Sequence, residues 1–150
     1  MTKDRDSIIR EIDISAPIEK VWATVTDARH VGEWFTDNGA SIDFRVGGAM
    51  KLDWKEWGVS WGQIEEIDAP YRFVWRWGSQ NEKKLVAGNS TLVEFVLESI
   101  ETGTRLRIVD SGFASMDISP EQQASRLADN TSGWSEISKG IKTYAESIAA

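Results

Sequence analysis

The chain has 150 residues, 41% of them hydrophobic and 27% charged, which is the make-up of one globular domain (1–150) able to bury a sizeable core. A formal net charge of −7 without any cluster of Lys and Arg argues against nucleic acid and against an anionic membrane surface as partners. The absence of cysteine removes disulfides, thiolate catalysis and cysteine-based zinc sites, and makes a reducing, cytoplasmic setting the natural expectation.

The start, MTKDRDSII, lacks the apolar stretch of a signal peptide, and no apolar run approaches the ~20 residues of a membrane helix. Ser7–Ile14 alternates as a strand does, with Ile8, Ile12 and Ile14 on one face. A helix follows, with Ser15 as its expected N-cap, Pro17 in its first turn, Glu19 placed well for the helix dipole, and Ile18, Trp22 and Val25 at helical spacing. Ala28–Phe35 reads as a second short helix offering Val31, Trp34 and Phe35.

After Gly39 the pattern changes to strands. Ile42, Phe44 and Val46 are expected to share a face, Gly47-Gly48 to turn the chain, and Met50, Leu52 and Trp54 to point inward on the returning strand. Trp57 has the opposite parity and is expected to be exposed in the hairpin. Val59–Ile67 changes phase midway, which predicts a bulge near Gly62. In the next strand Phe73, Trp75 and Trp77 occupy alternate positions, and Arg72 and Arg76 between them face solvent and neighbouring carboxylates. Ser90–Glu98 puts Val93, Phe95 and Leu97 on one side; after a turn at Glu101–Gly103, Leu106 and Ile108 alternate with Arg105 and Arg107.

From Pro120 onward the spacing is helical, with Leu127, Thr131, Trp134, Ile137, Ile141, Tyr144, Ala145 and Ile148 on one stripe and an irregular joint expected at Asn130–Gly133. Sequential strands with short turns imply an antiparallel sheet, and the long terminal helix is the one large amphipathic element left to cover its apolar face. The class is α+β of the helix-grip kind, a curved sheet closed over a helix with a hollow between them.

Three stretches carry a family likeness: APIEKVWATVTDARHVGEWF (Ala16–Phe35), GQIEEIDAPYRFVWRW (Gly62–Trp77) and STLVEFVLESIETGTRLRIVDSGF (Ser90–Phe113), the last joined by the later Gly133-Trp134. With them the chain resembles the START-like (SRPBCC) superfamily, and within it the family of the activator of the 90-kDa heat-shock protein's ATPase. The resemblance implies about seven strands around the C-terminal helix and a cavity that often takes an apolar ligand. It fixes no reaction, because the fold hosts carriers, receptors, cyclases and co-chaperone domains alike.

The candidate cavity-lining residues are Trp34, Trp54, Trp75, Trp77, Phe95, Asp110, Trp134 and Ile137. Asp110 stands out because it follows Leu106 and Ile108 by alternation and so points inward, as an anchor for a ligand head group, as an acid or base in an apolar cavity, or as a carboxylate at the strand end that is hydrated or caps a nearby backbone N–H. His30 is the single histidine, placed beside Arg29 and expected in solvent, so no Ser-His-Asp arrangement can be built around it. No nucleotide-binding glycine motif and no metal-ligand spacing occur, and no cofactor is expected. The first expectation is a non-catalytic protein that binds a small apolar or aromatic molecule. The alternatives are a co-chaperone-like module that binds a chaperone or another protein, and a cyclase or hydrolase acting in the same cavity. Both a monomer and a homodimer fit the sequence.

Overall fold

The structure, a computed structural model, describes residues 6–80 and 84–150, and the side chains of 79 and 80 fall outside that description. The reading of the start as leaderless rests in part on residues 1–5, which lie outside the described residues.

Alternation decides the strands. They are β1 (Ser7–Ile14), β2 (Ala40–Ile42), β3 (Ala49–Trp54), β4 (Gly58–Asp68), β5 (Arg72–Gln80), β6 (Ser90–Ile100) and β7 (Gly103–Ser111). They form one antiparallel sheet in the order β1-β7-β6-β5-β4-β3-β2. Helices α1 (Ile18–Thr26) and α2 (Ala28–Trp34) link β1 to β2, and α3 (Pro120–Ala149) closes the chain after a short 3-10 turn at Phe113–Ser115. This is the seven-stranded helix-grip fold that the periodicities imply. Its core gathers the inward residues of the strands, such as Leu52, Ile64, Phe73, Val93, Phe95, Leu106 and Ile108, against Val21 and Val25 of α1 and Trp134, Ile141 and Ala145 of α3.

The outward faces behave as expected. Arg72 bonds Glu66 at 2.9 Å and Glu94 at 2.8 Å, and Arg76 lies 4.0 Å from Glu65. Arg105 and Asp13, partners in the β1–β7 register, pair at 2.8 Å. Such exposed pairs contribute about 0–1 kcal/mol each. The expected bulge is present as a register shift between Ser60 and Gly62, with a second between Ile64 and Glu66. At Gly62 a side chain is crowded, since a Cβ there would meet Met50 Cβ and Sδ and Trp75 Cε3, each at 3.1 Å, and these neighbours would have to yield by a few tenths of an ångström. Gly62→Val is therefore expected to cost about 1–3 kcal/mol through overpacking, read from urea unfolding. An unchanged midpoint would mean that Met50 and Trp75 move aside freely.

Four local expectations are corrected. First, β2 stops at Ile42, so Phe44 and Val46 are not strand residues and are 43% and 61% exposed, although the Phe44 ring still packs against Phe73 at 5.7 Å and Trp22 at 6.4 Å. The chain there folds into a tight loop closed by hydrogen bonds from Arg45 N–H to the Asp43 carbonyl and from Gly48 N–H to the Arg45 carbonyl, both 2.8 Å. Second, Ser15 does not cap α1; Pro17 holds that position, and the Ser15 N–H donates to the Glu146 carboxylate at 2.8 Å.

Third, α3 runs unbroken through Asn130–Gly133. These residues are poor helix formers, yet tertiary contacts override propensity. Asn130 donates to Asp110, the Thr131 hydroxyl donates to the Leu127 carbonyl at 2.7 Å, and Arg10 reaches the Thr131 carbonyl and Ser135. Fourth, His30 is not solvated alone, because its Nδ1 and the Tyr144 hydroxyl share a 2.6 Å hydrogen bond that ties α2 to α3.

Candidate ligand-binding site

A pocket of about 530 Å³ opens where β4, β5 and β6 pass beneath the first half of α3. The end of β3 supplies Trp54 and the following turn Trp57; β4 supplies Ser60, β5 Trp77 and Gly78, β6 Thr91, and α3 Arg126 and Asn130. Trp57 is 65% exposed and forms the lip. Trp54 is fixed by its Nε1, which donates to the Phe35 carbonyl at 3.2 Å. Trp77 is fixed twice: its Nε1 donates to Ser60 Oγ at 2.7 Å, and its ring meets those of Phe35 and Trp134 edge-on at 5.4 and 5.7 Å. Because Ser60 Oγ accepts from Trp77, its own hydroxyl proton remains able to donate.

The candidate residues divide between this wall and the layers behind it. Trp54 and Trp77 line the pocket. Trp75 does not, although it shares the parity of Trp77: it is 1% exposed in the core, and its Nε1 has no hydrogen-bond partner. Phe95 is likewise core, packed edge-on against Trp75 and Trp134 at 6.1 and 6.0 Å. Trp134 lies beneath the pocket as a buried floor. Ile137 packs half-buried on the core further along α3. Trp34 is at a different place, on a shallow groove between α2 and α3 with Lys139 and Tyr144, and its Nε1 donates to the Thr24 carbonyl at 2.7 Å.

Asp110 is fully buried, one layer behind the wall. Its Oδ2 accepts from Trp134 Nε1 at 2.9 Å and from Asn130 Nδ2 at 3.2 Å, and its Oδ1 has no partner. Burial pushes the carboxyl above the usual carboxylate range, against the opposite pull of Thr91, Trp134 and Asn130. The inward direction read from alternation holds, while the hydrated strand end does not.

Six pocket residues lie outside the candidates named from the sequence: Trp57, Ser60, Gly78, Thr91, Arg126 and Asn130. Two signals were present in the sequence. Arg126 and Asn130 precede Trp134 by eight and four residues, one helix face. Thr91 shares the parity of Val93 and Phe95 on β6. Both patterns were masked because the residues are polar, and apolar periodicity passes over them. Among the described residues no group of three or more His, Asp or Glu is placed to hold a metal ion, and no helix is long and apolar enough to cross a membrane.

A curved seven-stranded antiparallel sheet gripping a C-terminal helix, with an open tryptophan-walled pocket between them, defines a START-like protein of the helix-grip class. Residues 15–146 match the family described as Activator of Hsp90 ATPase homolog 1-like protein, and the chain belongs to that family. Solved structures share the fold. A Mesorhizobium loti protein, MLL2253, is 22% identical with a TM-score of 0.75, over 92% of this chain and 95% of that one. The Aha1 dimer from Colwellia psychrerythraea is 20% identical with a TM-score of 0.75, over 93% and 96%. DynU16, a putative protein in the dynemicin biosynthetic locus, is 21% identical with a TM-score of 0.73 over 94% of this chain, which spans only 47% of that one. No curated protein matches the sequence.

Proposed function

We propose that the chain is a non-catalytic binding protein that holds a small apolar or aromatic molecule in the pocket between β4–β6 and α3. The observation that supports this most directly is the wall itself. Trp54, Trp57 and Trp77 surround about 530 Å³, within the roughly 300–1,000 Å³ typical of small-molecule sites, and a few polar groups (Ser60, Thr91, Asn130) converge on it. Indole rings offer large, stiff apolar area suited to stacking on a flat ligand. An enzyme of the cyclase or hydrolase kind needs its acid or base at the wall, and Asp110 sits behind Asn130 instead.

Titration of the chain with aromatic probes, followed by quenching of tryptophan fluorescence, tests the reading. Trp57→Ala is the informative variant because the residue is 65% exposed. Its stability is expected to stay within about 0.5 kcal/mol of the parent. Its affinity for an aromatic probe is expected to fall several-fold, the worth of about 0.5–1.5 kcal/mol of ring contact. Unchanged affinity would remove the lip from the site.

A second reading, an interaction module that docks on a chaperone or on a second copy of this chain, draws on the same exposed Trp57. The Colwellia relative is described as a dimer. Under that reading Trp57→Ala weakens protein capture or self-association measured by sedimentation, and leaves probe affinity alone.

A further inference from the structure

Resting on the pocket reading above, we infer that the site selects an aromatic molecule bearing an acidic group: the ring lies against Trp77 and Trp57, and a carboxylate, sulfonate or phenolate is held by Arg126.

Arg126 is the one cation on the pocket wall among the described residues, and it is half-buried there. The chain has an excess of carboxylates, 24 Asp and Glu against 17 Lys and Arg, and five of its other arginines are paired with them, while Arg10 is spent on Ser135 and backbone carbonyls and Arg107 lies on the far strand β7, away from the pocket. Arg29 pairs with Asp27, Arg45 with Asp43, Arg72 with Glu66 and Glu94, Arg76 with Glu65, and Arg105 with Asp13. Arg126 has no such partner among the described residues, although Asp129 stands three positions along the same helix, where an ion pair is geometrically ordinary. A guanidinium left without a counter-ion at the edge of an indole-walled pocket is a ready anion site. Its fork binds a carboxylate or sulfonate through two parallel N–H donors, and low local polarity strengthens the contact.

The neighbouring groups suit this arrangement. Asn130 spends one Nδ2 proton on Asp110, and its amide group carries a second that can donate to an anion. Ser60 keeps a hydroxyl proton to donate. Asp110, the nearest buried acid, is set back from the wall, with Asn130 and Trp134 both donating to its Oδ2.

The experiment uses a matched pair of fluorescent probes: 8-anilinonaphthalene-1-sulfonate, and N-phenyl-1-naphthylamine, which has the same rings without the sulfonate. Each is titrated into the parent chain, Arg126→Gln and Trp57→Ala. In Arg126→Gln the affinity for the sulfonate is expected to fall about tenfold or more, the worth of a hydrogen bond to a charged group, while the neutral probe binds as before. Trp57→Ala is expected to weaken both probes together. If both bind and Arg126→Gln leaves the ratio of their affinities unchanged, acid selection is overturned and the aromatic pocket stands. If neither probe binds the folded parent chain, the pocket reading fails with it.

Discussion

Trp134→Ala is expected to remove about 3–5 kcal/mol of stability, a large share of the roughly 5–15 kcal/mol that domains of this size possess. The residue is 1% exposed, and its ring meets Trp77 at 5.7 Å and Phe95 at 6.0 Å, so truncation opens a large cavity where α3 crosses the sheet. The loss is also chemical. Trp134 Nε1 is one of two donors to Asp110 Oδ2, and its removal leaves that oxygen with Asn130 as its remaining donor. That adds a penalty of order 1–3 kcal/mol. Trp134→Phe separates the two contributions, since it restores most of the packing and loses only the N–H. Urea unfolding followed by far-ultraviolet circular dichroism reads both variants. A midpoint for Trp134→Ala close to that of the parent would show that α3 is anchored elsewhere, with Ile141 and Ala145 the remaining buried apolar contacts.

Asp110→Asn is expected to raise stability at neutral and alkaline pH and to remove part of its pH dependence. Burial holds the folded-state pKa of Asp110 above the unfolded value of 3.8, so the folded chain binds more proton than the unfolded one between the two values. Stability from this group is therefore greatest below the unfolded pKa and is lost as pH rises through the folded one. An asparagine has nearly the same shape, still accepts from Trp134 and Asn130, and carries no charge to desolvate. The curve of melting temperature for Asp110→Asn minus the parent should sit near zero at acid pH and grow positive as pH rises.

Other carboxylates act with the opposite sign and cancel in that difference. Asp27, for example, is brought to about 2, chiefly by the hydrogen bond from the Arg29 guanidinium, and its contribution is lost on acidification. Parallel curves would show that Asp110 does not titrate differently on folding. A stabilising Asp110→Asn would also mean that the acid is kept at a cost in stability, as residues of functional sites often are.

The reach of sequence reading differs between elements for identifiable reasons. The strand faces were legible because a period of two assigns every residue to one side of the sheet. It sent Phe73, Val93 and Leu106 inward and Arg72 and Arg105 outward, and it placed Asp110 inside against its chemistry. The phase change around Trp61 gave away the bulge. The pocket was less legible. Trp75 and Trp77 have the same parity and the same side chain, yet one is core and the other wall. Parity states the side of the sheet but not how far along the strand α3 covers it. The same gap explains Phe95 and Trp134, which look like ligand contacts in the pattern and prove to be the layer beneath.

Local pattern also fails where partners are remote in the chain. His30 and Tyr144 are separated by 114 residues, and nothing near His30 announces that it ties two helices. The run Asn130–Gly133 looks like a break because its propensities are poor, and it stays helical because Asp110, Leu127 and Arg10 hold it. The sequence by itself determined most of the elements, the faces of the long strands, the antiparallel character of the sheet and the helix-grip class, which follow from short-range periodicity and turn chemistry. Only the tertiary structure decided which tryptophans wall a cavity and that Arg126 stands among them without a carboxylate partner among the described residues. Those facts depend on where a helix lies across a curved sheet, and that position is set by the summed packing of residues far apart in the chain.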